Sequence, residues 1–207
     1  MTKSKSLING IGEYKEINKY YNDWSNNYDN SLLKWNYKTP LNSALILKSL
    51  LLIPPNNLLD LACGTGLFAE EILKFFPKLK IDGIDISKKI LTKAQEKKIY
   101  RNLYCCNFDK SIPVKKNYDL VSCIGAMTYT KDPEKLLINI HKVIKKNGFF
   151  IFSHRTDLWK SQNYTKLLFN LKKKWQTIKI SRPLIYLPNN EDFNNKIKIR
   201  IVLLRRN

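Results

Sequence analysis

A buried strand followed by a glycine turn is the feature that most constrains this chain. Residues 58–72 read LLDLACGTGLFAEEI. The leucines at the start form a short apolar run, typical of a strand covered on both faces. Gly64 and Gly66 allow a sharp turn and a close approach of the backbone to a ligand, and Thr65 is placed to cap the helix that follows. The segment therefore predicts a parallel sheet that binds a ligand at the carboxyl end of this strand.

Two kinds of cofactor use such a loop. Gly64, Gly66 and Ala69 fit the dinucleotide pattern G-x-G-x-x-A, which is weak on its own. Asp60 stands four residues before the first glycine. Its carboxylate would repel a pyrophosphate, and it suits a ligand that carries an ammonium group and a sulfonium. The other alternative is an ordinary strand–turn–helix without a ligand.

With an acidic residue, three further residues and then G-x-G, the segment resembles the first motif of the class I S-adenosylmethionine-dependent methyltransferases. In that family the loop lies against the methionine part of the cofactor. The resemblance therefore implies that S-adenosyl-L-methionine is the cofactor. It also implies a set of cofactor-binding residues in and before the loop: Asp60, Ala62, Cys63, Gly64 and Gly66.

A second acidic residue follows at the spacing expected for ribose recognition. Asp85 lies about twenty residues beyond the glycines, at the end of a predicted strand in residues 79–87. We expect it to accept hydrogen bonds from the two ribose hydroxyls, with Ile86 against the adenine. Asp82, in the middle of the strand, is expected to lie at an edge or face solvent. Ser87 is placed to cap a helix over 88–97.

The adenine is expected to contact the end of the next strand. A third strand is predicted over 100–106, and Asn107 then occupies the position where related methyltransferases usually carry an aspartate. Its amide oxygen can accept the same bond from the adenine amino group, and Asp109 is an alternative. Phe108 offers a backbone N–H or a stacking face. Ile124, at the end of a fourth strand over 118–124, completes the predicted cofactor site.

The amino-terminal part predicts an aromatic lid. Apolar residues recur at helical spacing over 13–28, and YNDWSNNYD resembles the lead-in of many small-molecule methyltransferases. The resemblance implies that Tyr28 approaches the cofactor and that Trp24 contacts the acceptor. We expect residues 1–55 to form a tail and helical lid and residues 56–207 to form the methyltransferase domain. The resemblance is strongest to the Williams-Beuren-region methyltransferase-like group.

The remaining pattern predicts an α/β fold with a doubly wound, Rossmann-like, seven-stranded and mostly parallel sheet. Helices are predicted over 133–146 and 158–174, and a fifth strand over 149–153. Two long strand-like stretches, 175–187 and 196–204, predict a C-terminal antiparallel hairpin. Such a hairpin closes methyltransferase sheets and is missing from dinucleotide-binding domains.

Charge and cysteine content limit the possible partners and the expected compartment of the protein. There are 37 Lys and Arg against 17 Asp and Glu, a net charge of +20. This excess is compatible with nucleic acid, but the basic residues are spread along the chain, so we favour a general compositional bias. No apolar run approaches the length of a membrane span, and the four cysteines form no C-x-x-C metal or redox pair. A cytoplasmic protein with reduced cysteines is expected.

The residues after the fourth and fifth strands bear on the acceptor. Residues 124–127 read IGAM, where exocyclic-amine methylators of nucleobases usually carry an N-P-P-Y-like tetrad. His154 is the first candidate for a general base, and Arg155 is a candidate to hold an acceptor carboxylate or phosphate. The sequence thus favours a methyltransferase with a small-molecule acceptor. The alternatives are an RNA methyltransferase and a non-catalytic cofactor-binding protein, and the oligomeric state is left open.

Overall fold

A mostly parallel sheet runs through the middle of the fold. The computed structural model describes residues 12–114, 117–193 and 197–207. Within these ranges the strands are β1 (Asn57–Leu61), β2 (Lys80–Asp85), β3 (Tyr100–Cys105), β4 (Tyr118–Cys123), β5 (Ile144–Arg155), β6 (Trp175–Ile180), β7 (Leu184–Ile185) and β8 (Lys198–Arg206). They pair in the order β3-β2-β1-β4-β5-β8-β6, and β7 pairs with β8. The first five strands are parallel, and β8 is antiparallel to its neighbours.

Helices cover both faces of this sheet. In the described part of the chain they are α1 (Tyr14–Trp24), α2 (Tyr28–Lys34), α3 (Thr39–Leu50), α4 (Leu67–Leu73), α5 (Lys88–Glu96), α6 (Pro133–Val143), α7 (Thr156–Ser161) and α8 (Tyr164–Asn170). Short 3₁₀ turns span Ser25–Asn27 and Met127–Tyr129. The predicted cap of α5 is confirmed, because the Ser87 hydroxyl accepts the Ile90 N–H at 3.1 Å.

The core forms two apolar layers, one on each side of the sheet. Since side chains alternate along a strand, Leu59 of β1 packs in the layer with α6, whereas Leu58 packs in the layer with α3 and α4. Ala44 and Leu47 of α3 are completely buried in that second layer. The predicted doubly wound α/β fold with antiparallel closing strands is therefore confirmed.

Several predicted elements differ from the structure, and the helix predicted over 133–146 ends at Val143. The helix predicted over 158–174 is two short helices, because Asn163 between them adopts a left-handed conformation with φ of 50°. The strand predicted over 175–187 divides into β6 and β7 around Pro183, which has no N–H to donate to the sheet. β7 therefore adds a short eighth strand to the seven that were predicted. β5 extends beyond its predicted bounds at both ends.

Asp82 is buried, and the expectation that it faces solvent is wrong. β3 covers β2 on its outer side, so β2 is not an edge strand. The Asp82 carboxylate accepts bonds from Arg101 Nε at 2.9 Å, from the Tyr118 hydroxyl at 2.7 Å and from Asn102 Nδ2 at 2.8 Å. Burial raises the pKa of Asp82, but the bonds from Arg101, Tyr118 and Asn102 outweigh it and hold that pKa below its usual value.

None of the described helices is long and apolar enough to cross a membrane.

Candidate functional site

A cavity lies at the carboxyl ends of the parallel strands, beneath α1 and α2. Nine of the predicted site residues line it: Trp24, Tyr28, Ala62, Gly64, Asp85, Ile86, Asn107, Phe108 and Ile124. A smaller cavity adjoins it and shares Tyr28 and Gly64, and Asp60 and Cys63 line this second space. The structure thus brings together predicted residues from the ends of four strands.

Asp85, the last residue of β2, lines the cavity and contacts the loop that follows β1. Its two carboxylate oxygens accept the N–H of Gly64 at 3.0 Å and the N–H of Ser87 at 2.9 Å. Burial raises the pKa of Asp85 above its usual value, although these backbone bonds oppose the shift. Each carboxylate oxygen can accept more than one hydrogen bond, so Asp85 retains acceptor capacity toward the cavity.

Asp60 lies deeper, below the glycine turn. It is only 1% exposed, and it accepts the Ser122 hydroxyl at 2.6 Å and the Tyr100 hydroxyl at 2.9 Å. Burial raises the pKa of Asp60 to about 7, against the effect of these two hydrogen bonds. A carboxylate with such a pKa favours a cation next to it, because a nearby positive charge lowers the cost of ionisation.

The glycine turn has the conformation that the sequence predicts, but its helix begins differently. Gly64 and Gly66 have φ of 58° and 97°, which favours glycine at both positions. A Cβ at Gly66 would also lie 3.1 Å from the Tyr100 ring. The expectation that Thr65 caps the helix is wrong, since Gly66 is the N-cap of α4. The Thr65 hydroxyl donates to Asp29 of α2 instead, and so links the turn to the helices above it.

Asn107 presents a donor to the cavity. Its Oδ1 accepts the Asp109 N–H at 2.9 Å, whereas its buried Nδ2 has no hydrogen-bond partner among the described residues. The sequence emphasised the amide oxygen, but the unpaired group is the amide nitrogen. Asp109 accepts the hydroxyls of Tyr14 and Thr130 and the Lys131 N–H, so it fastens α1 to the loop after β4.

Comparison with known proteins agrees with this geometry. Residues 59–150 match the family model described as a methyltransferase domain. Human methyltransferase-like protein 27 is 30% identical over 152 residues, which are 72% of this chain and 61% of that protein. Residues 59–150 are a class I S-adenosylmethionine-dependent methyltransferase domain. S-adenosylmethionine is the cofactor of this family, as the glycine motif and Asp60 predicted.

Further curated relatives carry different names. Malonyl-[acyl-carrier protein] O-methyltransferase 1 of Ilyobacter polytropus is 29% identical over 143 residues, 68% of this chain and 52% of that protein. The chain therefore spans about half to three-fifths of the length of these two curated relatives.

Solved structures show the same fold at low identity. The plantazolicin methyltransferase BpumL, crystallised with SAH and a pentazolic desmethylPZN analog, has a TM-score of 0.69 at 16% identity. The alignment covers 99% of this chain and 98% of that one. The [4+2]-cyclase SpnF has a TM-score of 0.63 at 14% identity, with 80% of each chain covered. The fold is thus shared by proteins whose names describe different reactions.

Three predicted residues line neither cavity. Gly66 acts through the backbone of the turn. His154 was expected in a loop on the ligand side, but it lies within β5, is 1% exposed and has its ring 4.2 Å from that of Tyr164. Burial lowers the pKa of His154 to about 4. Arg155 is also buried and pairs with Asp157, with Nη2 at 2.6 Å from Oδ2. His154 therefore does not lie in a loop as expected, whereas the roles of His154 and Arg155 at the ligand stay predictions. The positive charge of Arg155 opposes the rise in the pKa of Tyr129 and Tyr186 that burial causes.

The sequence identified only part of the aromatic group that covers the cavity. Trp24 and Tyr28 were predicted, and their rings pack edge to face at 4.7 Å. Tyr129 and Tyr186 were not, although both line the cavity. Tyr129 belongs to the 3₁₀ turn after β4, and Tyr186 follows β7. The GAMTYT segment after β4 could have indicated Tyr129, because ligands bind beyond the strand ends. No local pattern indicates Tyr186.

Proposed function

We propose that this chain binds S-adenosylmethionine in the cavity and transfers its methyl group to a small-molecule acceptor. One observation carries the proposal. Asp85, at the end of β2, is held by the N–H of Gly64, which follows β1. A buried carboxylate and a left-handed glycine loop thereby face one cavity at the carboxyl ends of adjacent parallel strands.

The residues present fit the chemical groups of this cofactor. Asp85 would accept bonds from the ribose hydroxyls, and Ile86 and Phe108 would enclose the adenine. The unpaired Asn107 Nδ2 is suited to a ring nitrogen of the base, which is an acceptor. Asp60, in the adjoining cavity beside Gly64, would face the positively charged methionine end.

When bound, the cofactor supplies a methyl group on a positively charged sulfur, which needs no further activation. The protein then has to orient the acceptor in line with that methyl and to exclude water. Tyr28 is placed for this, because its ring lies between the Gly64 loop and the cover formed by Trp24. A general base is required only when the acceptor must lose a proton first.

The aromatic cover is proposed to act as a lid. Polar contacts hold it to the sheet domain: Asn22 Oδ1 accepts the Ser87 hydroxyl at 2.7 Å, and Asp29 contacts Lys97 at 3.1 Å. The predicted division at residue 55 remains a prediction. Because α3 is buried in the core of the sheet, we propose that the lid comprises only residues 14–37.

A small acceptor is preferred to RNA because α1 and α2 cover the cavity and none of its described lining residues is a lysine or an arginine. Two relatives are named malonyl-[acyl-carrier protein] O-methyltransferase 1 and ubiquinone biosynthesis O-methyltransferase. If RNA were the substrate, its binding would fall steeply with salt, on the order of a hundredfold between low and physiological salt. We expect RNA binding to be weak and to vanish near physiological salt.

Two measurements test the proposal. Calorimetry should detect binding of S-adenosylmethionine and of its demethylated product, and no binding of NAD at equal concentration. Incubation of a metabolite extract with methyl-labelled cofactor should then produce a labelled small molecule. Binding of NAD alone would overturn the cofactor assignment. Labelled RNA at physiological salt would favour the RNA alternative, and cofactor binding without any labelled product would favour a non-catalytic role.

A further inference from the structure

Five tyrosines from separate segments meet in the cavity. This tyrosine cluster consists of Tyr21, Tyr28, Tyr37, Tyr129 and Tyr186. The hydroxyls of Tyr21 and Tyr129 lie 2.9 Å apart, and the rings of Tyr37 and Tyr186 pack edge to face at 5.6 Å. The cluster lies over Gly64 and Gly125, at the ends of β1 and β4, with the Tyr28 hydroxyl 3.7 Å from the position of a Cβ on Gly64. It is therefore next to the proposed position of the transferable methyl.

The charge of the lining is opposite to that of the whole chain. The chain has 37 Lys and Arg, yet the described residues that line the cavity include Asp85 and Asp109 and no lysine, arginine or histidine. An acceptor carboxylate or phosphate would lose its hydration and meet like charges and the negative faces of aromatic rings. A positively charged nitrogen would instead be attracted to those ring faces.

Apart from Asp85, which the proposed function assigns to the ribose, the described lining offers little to deprotonate an alcohol or phenol. Burial raises the pKa of every tyrosine of the cluster, so the hydroxyls stay neutral at physiological pH. Asp109 is occupied by the hydroxyls of Tyr14 and Thr130 and by the Lys131 N–H. His154 lies outside the lining. An ammonium group can lose its proton to water before it reacts, and the neutral amine then has its lone pair available without a base from the protein.

We propose that the acceptor is an amine of a small molecule, bound among the tyrosine cluster; this inference rests on the proposed function. The nitrogen lone pair forms the new N–C bond while the C–S bond breaks, and the bonding electrons remain on sulfur, which becomes a neutral thioether. The methylated nitrogen carries the positive charge and then releases a proton, where it has one, to water. The ring faces stabilise the positive charge that develops on nitrogen.

The test compares three probes that share one phenyl ring: 2-phenylethylamine, 2-phenylethanol and 3-phenylpropanoate. Binding of each to the protein saturated with the demethylated cofactor is measured by ligand-observed NMR titration. We expect the amine to bind roughly tenfold or more tightly than the carboxylate and more tightly than the alcohol, given the scale of cation–π attraction. Equal or tighter binding of the carboxylate or the alcohol would overturn the proposal, as would failure of the amine to bind.

A pair of variants tests whether the cluster is responsible. Tyr186→Leu removes an aromatic ring from the cavity and should weaken amine binding several-fold, whereas Tyr104→Leu, on β3 and outside the lining, should not change it. Equal effects would count against the cluster. The two proposals fail separately. Loss of cofactor binding in calorimetry refutes the proposed function, whereas a cofactor-saturated protein that prefers the carboxylate refutes only the amine.

Discussion

Replacing Asp85 by asparagine should separate cofactor binding from folding. The substitution keeps the size of the side chain but removes its charge and turns one acceptor oxygen into a donor. In the protein both oxygens already accept backbone N–H groups, from Gly64 at 3.0 Å and from Ser87 at 2.9 Å. An amide can satisfy only one of these donors and then has no free acceptor for a second ribose hydroxyl.

The expected loss follows from the hydrogen bonds involved. A bond to a charged group contributes about 1.5–3 kcal/mol, so losing one such bond to the ribose weakens binding about 10- to 150-fold. Folding should change much less. Burial raises the pKa of Asp85 and so makes its ionised form costly, and the removal of that cost offsets the lost bond to the backbone.

The assay is calorimetric titration with S-adenosylmethionine, together with thermal unfolding of the free protein. Asp192→Asn is a matched control, because Asp192 is exposed and lines neither cavity. The reasoning is refuted if Asp85→Asn binds the cofactor as well as the control does, or if both substitutions weaken binding equally.

Three further outcomes are expected. Burial raises the pKa of Asp60 to about 7, so above about pH 4 the folded state keeps a proton that the unfolded chain has lost, and the free energy of unfolding should fall between about pH 4 and 7. Asp60→Asn should remove this pH dependence in urea titrations, and an unchanged dependence would assign it to another group. Asp82→Ala should destabilise the fold by roughly 2–4 kcal/mol, because it removes the carboxylate to which Arg101, Asn102 and Tyr118 donate. A loss of stability under about 0.5 kcal/mol in the same titrations would contradict this. Gly125→Ala should weaken cofactor binding, because Gly125 lines the cavity, has a φ of 84°, and a Cβ there would lie 2.6 Å from the Tyr37 hydroxyl. Adding Tyr37→Phe should restore part of it in calorimetry, and the absence of any rescue would argue against that contact.

Parts of this protein follow from local sequence. The run before Gly64, the turn itself and the interval to Asp85 predicted adjacent strands and a ligand site at their ends. These predictions succeed because a buried strand needs a continuous apolar run and a left-handed turn favours glycine. The same local rules placed Trp24 and Tyr28 on a helical segment, and the structure brings both to the cavity.

Other features were decided by pairing between distant segments. Asp82 is buried because β3 adds to the outside of β2 and brings Arg101 to it. His154 is buried because β5 continues past its predicted end and α8 places Tyr164 on its ring. The charge of a residue and its spacing along the chain do not reveal which strand or helix covers it.

The lining of the cavity shows this limit most clearly. The sequence predicted an α/β fold and the residues of the glycine loop, because these depend on residue patterns within short segments. The resemblance of that loop to a family motif predicted the cofactor. The tertiary structure alone assembled tyrosines from positions as far apart as Tyr21 and Tyr186 and excluded basic side chains from the described lining. The physical reason is that the charge of a cavity is a sum over neighbours in space, and a chain with a net charge of +20 can still fold its aromatic and acidic residues around one site.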